Sequence, residues 1–179
     1  NTNRLLAEDN AKLRATSILS FVKYQGEKWV IKDTVYDQKY IYLTAKVINN
    51  SVNKSNNYLT LDLGNKSGVE QQMGVICPDG VVGIVKNVSG SFASVISILH
   101  KDIKLSAKVK KNGYFGSLSW TGFNTKDALL TEIPKHATIQ KGDTIVTSGY
   151  STFFPENILI GTIEEFELKE GDNFYKIKV

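Results

Sequence analysis

Val75-Ile76-Cys77-Pro78-Asp79-Gly80-Val81-Val82-Gly83-Ile84-Val85 decides the fold class. Two β-branched runs meet at Pro78-Asp79-Gly80, where the proline ring fixes φ and the glycine accepts positive φ, so the chain reverses here as a β-hairpin. Gly83 falls inside the second run. A glycine there suggests a bulge or the tight bend of a small barrel, not a flat sheet.

The same pattern repeats downstream and upstream. From Tyr40 onward, β-branched and aromatic runs alternate with Gly, Asn, Asp and Ser at the intervals of an all-β barrel or sandwich. The predicted strands are Tyr40 to Ile48, Tyr58 to Leu63, Val75 to Cys77, Val81 to Val88, Phe92 to Leu99 and Ile103 to Val109. A second set runs Tyr114 to Trp120, Ala128 to Ile133, Thr144 to Thr147, Ile158 to Leu168 and Phe174 to Val179. Lys141-Gly142-Asp143 and Glu170-Gly171-Asp172 mark further reversals, while Gly116 and Gly161 mark further bends. Between Asn49 and Asn57, five asparagines and two serines read as an exposed loop with little capacity to pack.

The opening stretch reads differently. Asn3 to Phe21 is rich in Leu, Ala, Glu, Lys and Arg and has neither Gly nor Pro, which predicts a helix. Placing Leu6 and Leu13 at heptad position d puts Asn3, Asn10 and Ser17 at a, as in a two-stranded parallel coiled coil with polar residues setting the register. Two leucines suit equally a surface helix docked on the body. The expectation is a coiled-coil end, with Leu6, Asn10 and Leu13 as its self-association residues.

Several function classes fall away on composition. A chain of 179 residues with 41% hydrophobic and 22% charged residues can bury a core, as one ordinary domain or two small ones. The net charge of +4 comes from 22 basic and 18 acidic residues, with the lysines scattered. A nucleic-acid binder concentrates its positive charge on one stripe, whereas the densest run here, Lys108, Lys110 and Lys111, is small and its alternating Lys108 and Lys110 read as the solvated face of a strand, so no nucleic-acid partner is predicted. Cys77 is the single cysteine, which excludes an intrachain disulfide, and it reads as a small buried residue at a strand end. Only His100, His136 and Cys77 could supply nitrogen or sulfur to a metal, and no phosphate-binding loop or dinucleotide glycine pattern is present. No metal and no cofactor are predicted.

The one catalytic constellation to weigh is His100, Asp102 and Ser148, which follow the chain order of a chymotrypsin-type triad. A single residue separates His100 from Asp102, and Val146-Thr147-Ser148-Gly149 lacks the Gly-Asp-Ser-Gly surroundings that pre-form an oxyanion hole in such enzymes. The better reading is a strand-end imidazole and a turn serine. Glu164 and Glu165 are adjacent in a strand and point to opposite faces, so they do not make a facing carboxylate pair. The chain is not predicted to be an enzyme.

A candidate binding segment lies at Tyr150-Ser151-Thr152-Phe153-Phe154-Pro155, a loop marked by Gly149 and Pro155. Aromatic side chains bury large areas while losing few rotatable bonds, so Tyr150, Phe153 and Phe154 are the candidate partner-binding residues. The competing expectation is that at least one phenylalanine plugs the second barrel or the groove between barrels.

Taken in order, a set of segments resembles the MreC family of rod shape-determining proteins. They are Leu6 to Arg14, Ala45 to Ser51, Tyr58 to Gly64, Gly68-Val69, Met73 to Ile76, Gly80 to Val85, Val88-Ser89, Gly116-Ser117-Leu118, Lys141 to Gly149, and Phe154-Pro155 leading to Ile160-Gly161-Thr162-Ile163. The resemblance implies a fold that is mainly β: an N-terminal helix ending a coiled coil, then two small chymotrypsin-like β-barrels without an active site. The divisions that follow are 1–22 for the helix, 23–39 for a linker, 40–108 for the first barrel and 109–179 for the second, the last lacking its final strand. It also implies an extracytoplasmic scaffold anchored by an upstream transmembrane helix that this chain does not contain. The implied partners are a second copy of the chain, the elongation transpeptidase (a class B penicillin-binding protein), MreD and MreB. The alternatives are an inactive or divergent double-barrel serine hydrolase, or a generic secreted adhesion or carbohydrate-binding module stacking sugars on Trp29 or Trp120.

Overall fold

The structure, a computed structural model, describes residues 2–15, 21–23, 36–38 and 40–179. It divides into two units, Asn1–Ala45 and Lys46–Val179. Trp29 lies outside the described residues, as does Ser17 of the proposed heptad.

The first unit opens with helix α1 (Thr2–Ala15), which carries Lys12 and Arg14 in its last turn, where cations oppose the negative end of the helix dipole. An ion pair joins Arg4 to Glu8 one turn on, at 2.9 Å. Short strands β1 (Phe21–Lys23) and β2 (Tyr36–Gln38) pair antiparallel. Phe21 is therefore in a strand, not the last residue of the helix, and β2 lies in the stretch expected to be linker; Phe21-Val22 is aromatic and β-branched, which favours extended backbone. The first strand expected at Tyr40 begins only at Val47. Ahead of it, the Thr44 hydroxyl donates to the Ala7 carbonyl of the helix at 3.2 Å, so this stretch is held against α1 instead of in a sheet.

The second unit holds two antiparallel sheets. The first is formed by β3 (Val47–Asn50), β4 (Asn56–Leu61), β5 (Gly74–Cys77), β6 (Gly80–Val88) and β7 (Ala93–His100), in the order β3-β4-β7-β6-β5. Its β5–β6 hairpin pairs Cys77 with Gly80 across Pro78-Asp79, and Gly80 has φ of +137°. The register slips opposite Gly83, where the bulge was expected. Cys77 itself is exposed and not buried, because β5 is an edge strand and Cys77 is its last residue.

The second sheet contains β8 (Lys104–Val109), β9 (Phe115–Ser119), β10 (Leu129–Pro134), β11 (Thr144–Thr147), β12 (Leu159–Thr162), β13 (Glu165–Glu167) and β14 (Phe174–Lys178). Their order is β12-β11-β8-β9-β10-β14-β13. The division expected at 108 leaves β8 with the first barrel, yet β8 is hydrogen-bonded to β9 and β11. The change of sheet falls between His100 and Lys104.

Neither sheet closes on itself by hydrogen bonds between its edges, so the molecule shows two curled antiparallel sheets where two closed chymotrypsin-like barrels were expected. A closed barrel needs its edge strands paired at a consistent stagger. In the second sheet the edges are β12 and β13, which are separated in sequence by only Ile163 and Glu164. Two residues span so little that the sheet must bend until its edges lie side by side. Ile163, at the bend, is buried at 1% exposure. The run Ile158 to Leu168, read as one strand, is in fact two strands joined at this corner.

Alternation along the strands builds two cores. Leu59, Leu61, Val69, Val85, Ala93 and Val95 fill the first. The second is built around Leu105, Val109, Leu118, Leu130, Ile133, Ile145 and Ile177, and the opposite face of the first sheet packs on it through Ile76, Val81, Ile84, Ile96 and Ile98. The two sheets thus share apolar contact over one face.

Candidate partner-binding surface

The loop after β11 is stapled by one side chain. The Thr147 hydroxyl donates to the Pro155 carbonyl at 2.6 Å and accepts from the Ile158 amide at 2.9 Å. Ser148 ties the start of the loop to β8, its hydroxyl 2.8 Å from that of Ser106, and accepts from the Tyr150 amide at 3.2 Å. Gly149 turns the chain at φ of +80°, the left-handed region that glycine enters without steric cost.

That geometry leaves the three candidate aromatics with different exposures. Phe154 is 1% exposed and belongs to the second core. Phe153 is half-buried and packs against the same core. Tyr150 is 73% exposed and meets the ring of Phe115 edge to face, with centroids 5.0 Å apart. Phe154 is therefore taken up by the apolar core, as expected for at least one of the two phenylalanines, and Phe153 is partly covered by it. Gly74 on β5 makes room for both, since a Cβ there would come within 2.3 Å of the Phe153 carbonyl oxygen and 2.6 Å of the Phe154 ring.

Phe115 is the residue the sequence reading passed over. It lies in the strand predicted from Tyr114 to Trp120, and its parity gives it away: Gly116 and Leu118 point inward, so Phe115 faces out. Beside it on β8, opposite Phe115 in register, Lys108 forms an ion pair with Glu156 of the loop. Two exposed rings bordered by a charged pair make a surface suited to contact with another protein, with an apolar centre and a polar edge.

On α1, Leu6 and Leu13 are 56% and 68% exposed and Asn10 is exposed, at spacings of four and three that put them on one face. Leu5 is exposed as well, at 60%.

The triad residues do different work. The His100 Nδ1 accepts from the Asp102 amide at 3.1 Å, and its Nε2 lies 3.1 Å from the Tyr58 hydroxyl. Ser148 is engaged by Ser106, so no serine–imidazole relay is assembled. Among the described residues no three His, Cys, Asp or Glu side chains converge as a metal site. Trp120 is buried and its indole N–H donates to the Asn124 carbonyl at 2.6 Å, which makes it a core residue and not a stacking platform.

The family model for the barrel core of the rod shape-determining protein MreC matches residues 47–179. The cell shape-determining protein MreC of Listeria monocytogenes is 35% identical over 140 residues, covering 76% of this chain and 47% of that protein. The crystal structure of MreC from Pseudomonas aeruginosa superposes with a TM-score of 0.69 at 24% identity, over 76% of this chain and 87% of that one. MreC of Helicobacter pylori, solved in complex with the penicillin-binding protein PBP2, has a TM-score of 0.54 at 20% identity over 67% of this chain and 74% of that one. The chain spans about half the length of the curated relatives it matches.

Proposed function

This chain belongs to the MreC family of rod shape-determining proteins, and from that membership we propose that it is part of a non-catalytic extracytoplasmic scaffold that maintains cell shape by binding and organising enzymes of peptidoglycan synthesis. The observation that carries the reading is the family match across residues 47–179, which takes in both curled sheets.

The partner proposed for the Tyr150–Phe115 surface is the elongation transpeptidase, a class B penicillin-binding protein. The Helicobacter pylori relative, solved with PBP2, supports that class of partner. MreD and MreB are proposed as further members of the assembly through the full-length protein, which an upstream transmembrane helix would hold at the outer face of the cytoplasmic membrane. Among the described residues no helix is long and apolar enough to cross a membrane. Helix α1 is proposed to self-associate through Leu6, Asn10 and Leu13. We read the curled sheets as the paired barrels of the family, one ending at His100 and one starting at Lys104. The second would be closed by the bent strand at Ile163-Glu164 instead of by a hydrogen-bonded edge pair.

The test is titration calorimetry of the purified chain with the purified extracytoplasmic part of the transpeptidase. Saturable one-to-one heat is the expected result. Heat indistinguishable from dilution, with both proteins folded, would remove the partner assignment.

A further inference from the structure

His100 ends β7, and the turn His100-Lys101-Asp102-Ile103 that follows is the one covalent crossing between the two sheets. His100 is 2% exposed. Alternation along β7 puts it on the face that carries Ile96 and Ile98, which pack against the second core. The turn closes through the Ile103 amide on the His100 carbonyl at 3.1 Å and through the Asp102 amide on His100 Nδ1 at 3.1 Å.

A backbone N–H can only donate, so Nδ1 must carry a lone pair and the ring proton must sit on Nε2. The Nε2–H then donates to the Tyr58 hydroxyl oxygen at 3.1 Å, which also accepts from the Lys86 ammonium at 3.2 Å. The ring is thereby fixed as one neutral tautomer by groups on β4, β6 and the turn itself.

We propose that His100 is an acid-sensitive latch on the joint between the sheets: the neutral ring holds the crossing turn closed, and a proton taken up at Nδ1 opens it. Protonation replaces an acceptor with a second N–H facing the Asp102 N–H, and it leaves a cation in a buried site. The nearest relief is the Asp102 carboxylate, whose Oδ2 is 3.9 Å from Nδ1 on an exposed side chain. Protonation itself removes the acceptor of the Asp102 amide, so the turn loses one of the two bonds that close it.

The charged and titratable groups around the ring set the direction of the response. Burial is the largest influence and lowers the pKa of His100. Asp102 acts against it, while the positive charges of Lys86 and Lys101 act with it; Tyr58 contributes a hydrogen bond. A folded-state pKa below the unfolded value means that the unfolded chain binds the proton first as pH falls. The latch therefore contributes its full stability above the ordinary histidine value of about 6.5 and loses it as pH drops through the lower folded value.

The experiment is a nitrogen-15 NMR titration of this chain from about pH 8 to about pH 5, the range over which histidine changes charge. It follows the His100 imidazole and the amides of Asp102 and Ile103, with the core amide of Val95 as the in-sample reference. Three results are expected. His100 is the Nε2–H tautomer at neutral pH. Its protonation and the Asp102 amide shift follow one curve. Exchange protection at Asp102 and Ile103 falls by about tenfold relative to the core amide of Val95, as local opening of the turn requires. His100→Asn places a non-titrating oxygen where Nδ1 stands, and its Asp102 amide is expected to keep its protection across the titration. An Nδ1–H tautomer, a ring that titrates without change at Asp102 and Ile103, or a parallel loss of protection in His100→Asn would each overturn the latch. The wild-type titration decides by itself whether or not the variant folds.

Discussion

Phe153 and Phe154 are neighbours with different surroundings, and Tyr150 differs from both. Phe154→Ala removes a ring that is 1% exposed and leaves a cavity in the second core, which should cost about 3–5 kcal/mol in thermal or denaturant unfolding. Tyr150→Ala and Phe115→Ala remove rings that are 73% and 55% exposed, and their unfolding should stay within about 0.5 kcal/mol of wild type. Transpeptidase binding by the same two variants should weaken by about 1 kcal/mol or more if the rings are anchors. A Tyr150→Ala protein that melts like Phe154→Ala, or that binds like wild type, would show that the interface lies elsewhere. That an aromatic loop exists here is legible in sequence, because Gly149 and Pro155 punctuate it. Which ring turns inward is not, because the space that receives Phe154 is opened by Gly74, on a strand of the other sheet. Phe115 needed only the face parity of β9, a signal available from the alternation of its neighbours.

At the scale of elements, local chemistry was readable and pairing was not. The Pro78-Asp79-Gly80 reversal forms as its residues dictate, and Gly142 and Gly171 turn at φ of +90° and +88°. By contrast β8 has the alternation of any half-buried strand, and nothing within Lys104–Val109 tells which sheet will hydrogen-bond it. The corner at Ile163-Glu164 is hidden for a related reason: the bend is imposed by two different partners, β11 on one side and β14 on the other. Two predictions belong here. Gly74→Ala should destabilise the second unit by about 1–3 kcal/mol, since the added methyl meets backbone and ring within 3 Å and the loop must retreat; unchanged melting would mean the loop is not clamped on β5. Helix α1 should give weak self-association in sedimentation equilibrium, lost in the Leu6→Ala, Leu13→Ala double variant. A monomer at high concentration would dismiss the seam.

Over the whole molecule, the shared apolar face makes a thermodynamic statement about residues Lys46–Val179. Ile76, Val81, Ile84, Ile96 and Ile98 of the first sheet lean on the second core, so neither sheet should unfold alone. Calorimetric and van't Hoff enthalpies of that unit should agree, as for a two-state domain. Two resolved transitions would mean that the sheets are independent. This unity also explains why the family resemblance was legible over most of the chain while the architecture was only partly so. The order of turns and strands is written locally along Lys46–Val179, whereas curling, edge placement and the sheet-to-sheet contact arise from distant segments.

The proposal that the chain is a scaffold of wall elongation is tested most directly by crosslinking the full-length protein in native envelopes, with a photoreactive residue in place of Tyr150, and identifying the captured peptides by mass spectrometry. The predicted result is capture of the elongation transpeptidase, reduced when Phe115 is also changed to alanine. Efficient crosslinking that recovers no wall-synthesis enzyme from folded, correctly inserted protein would contradict it.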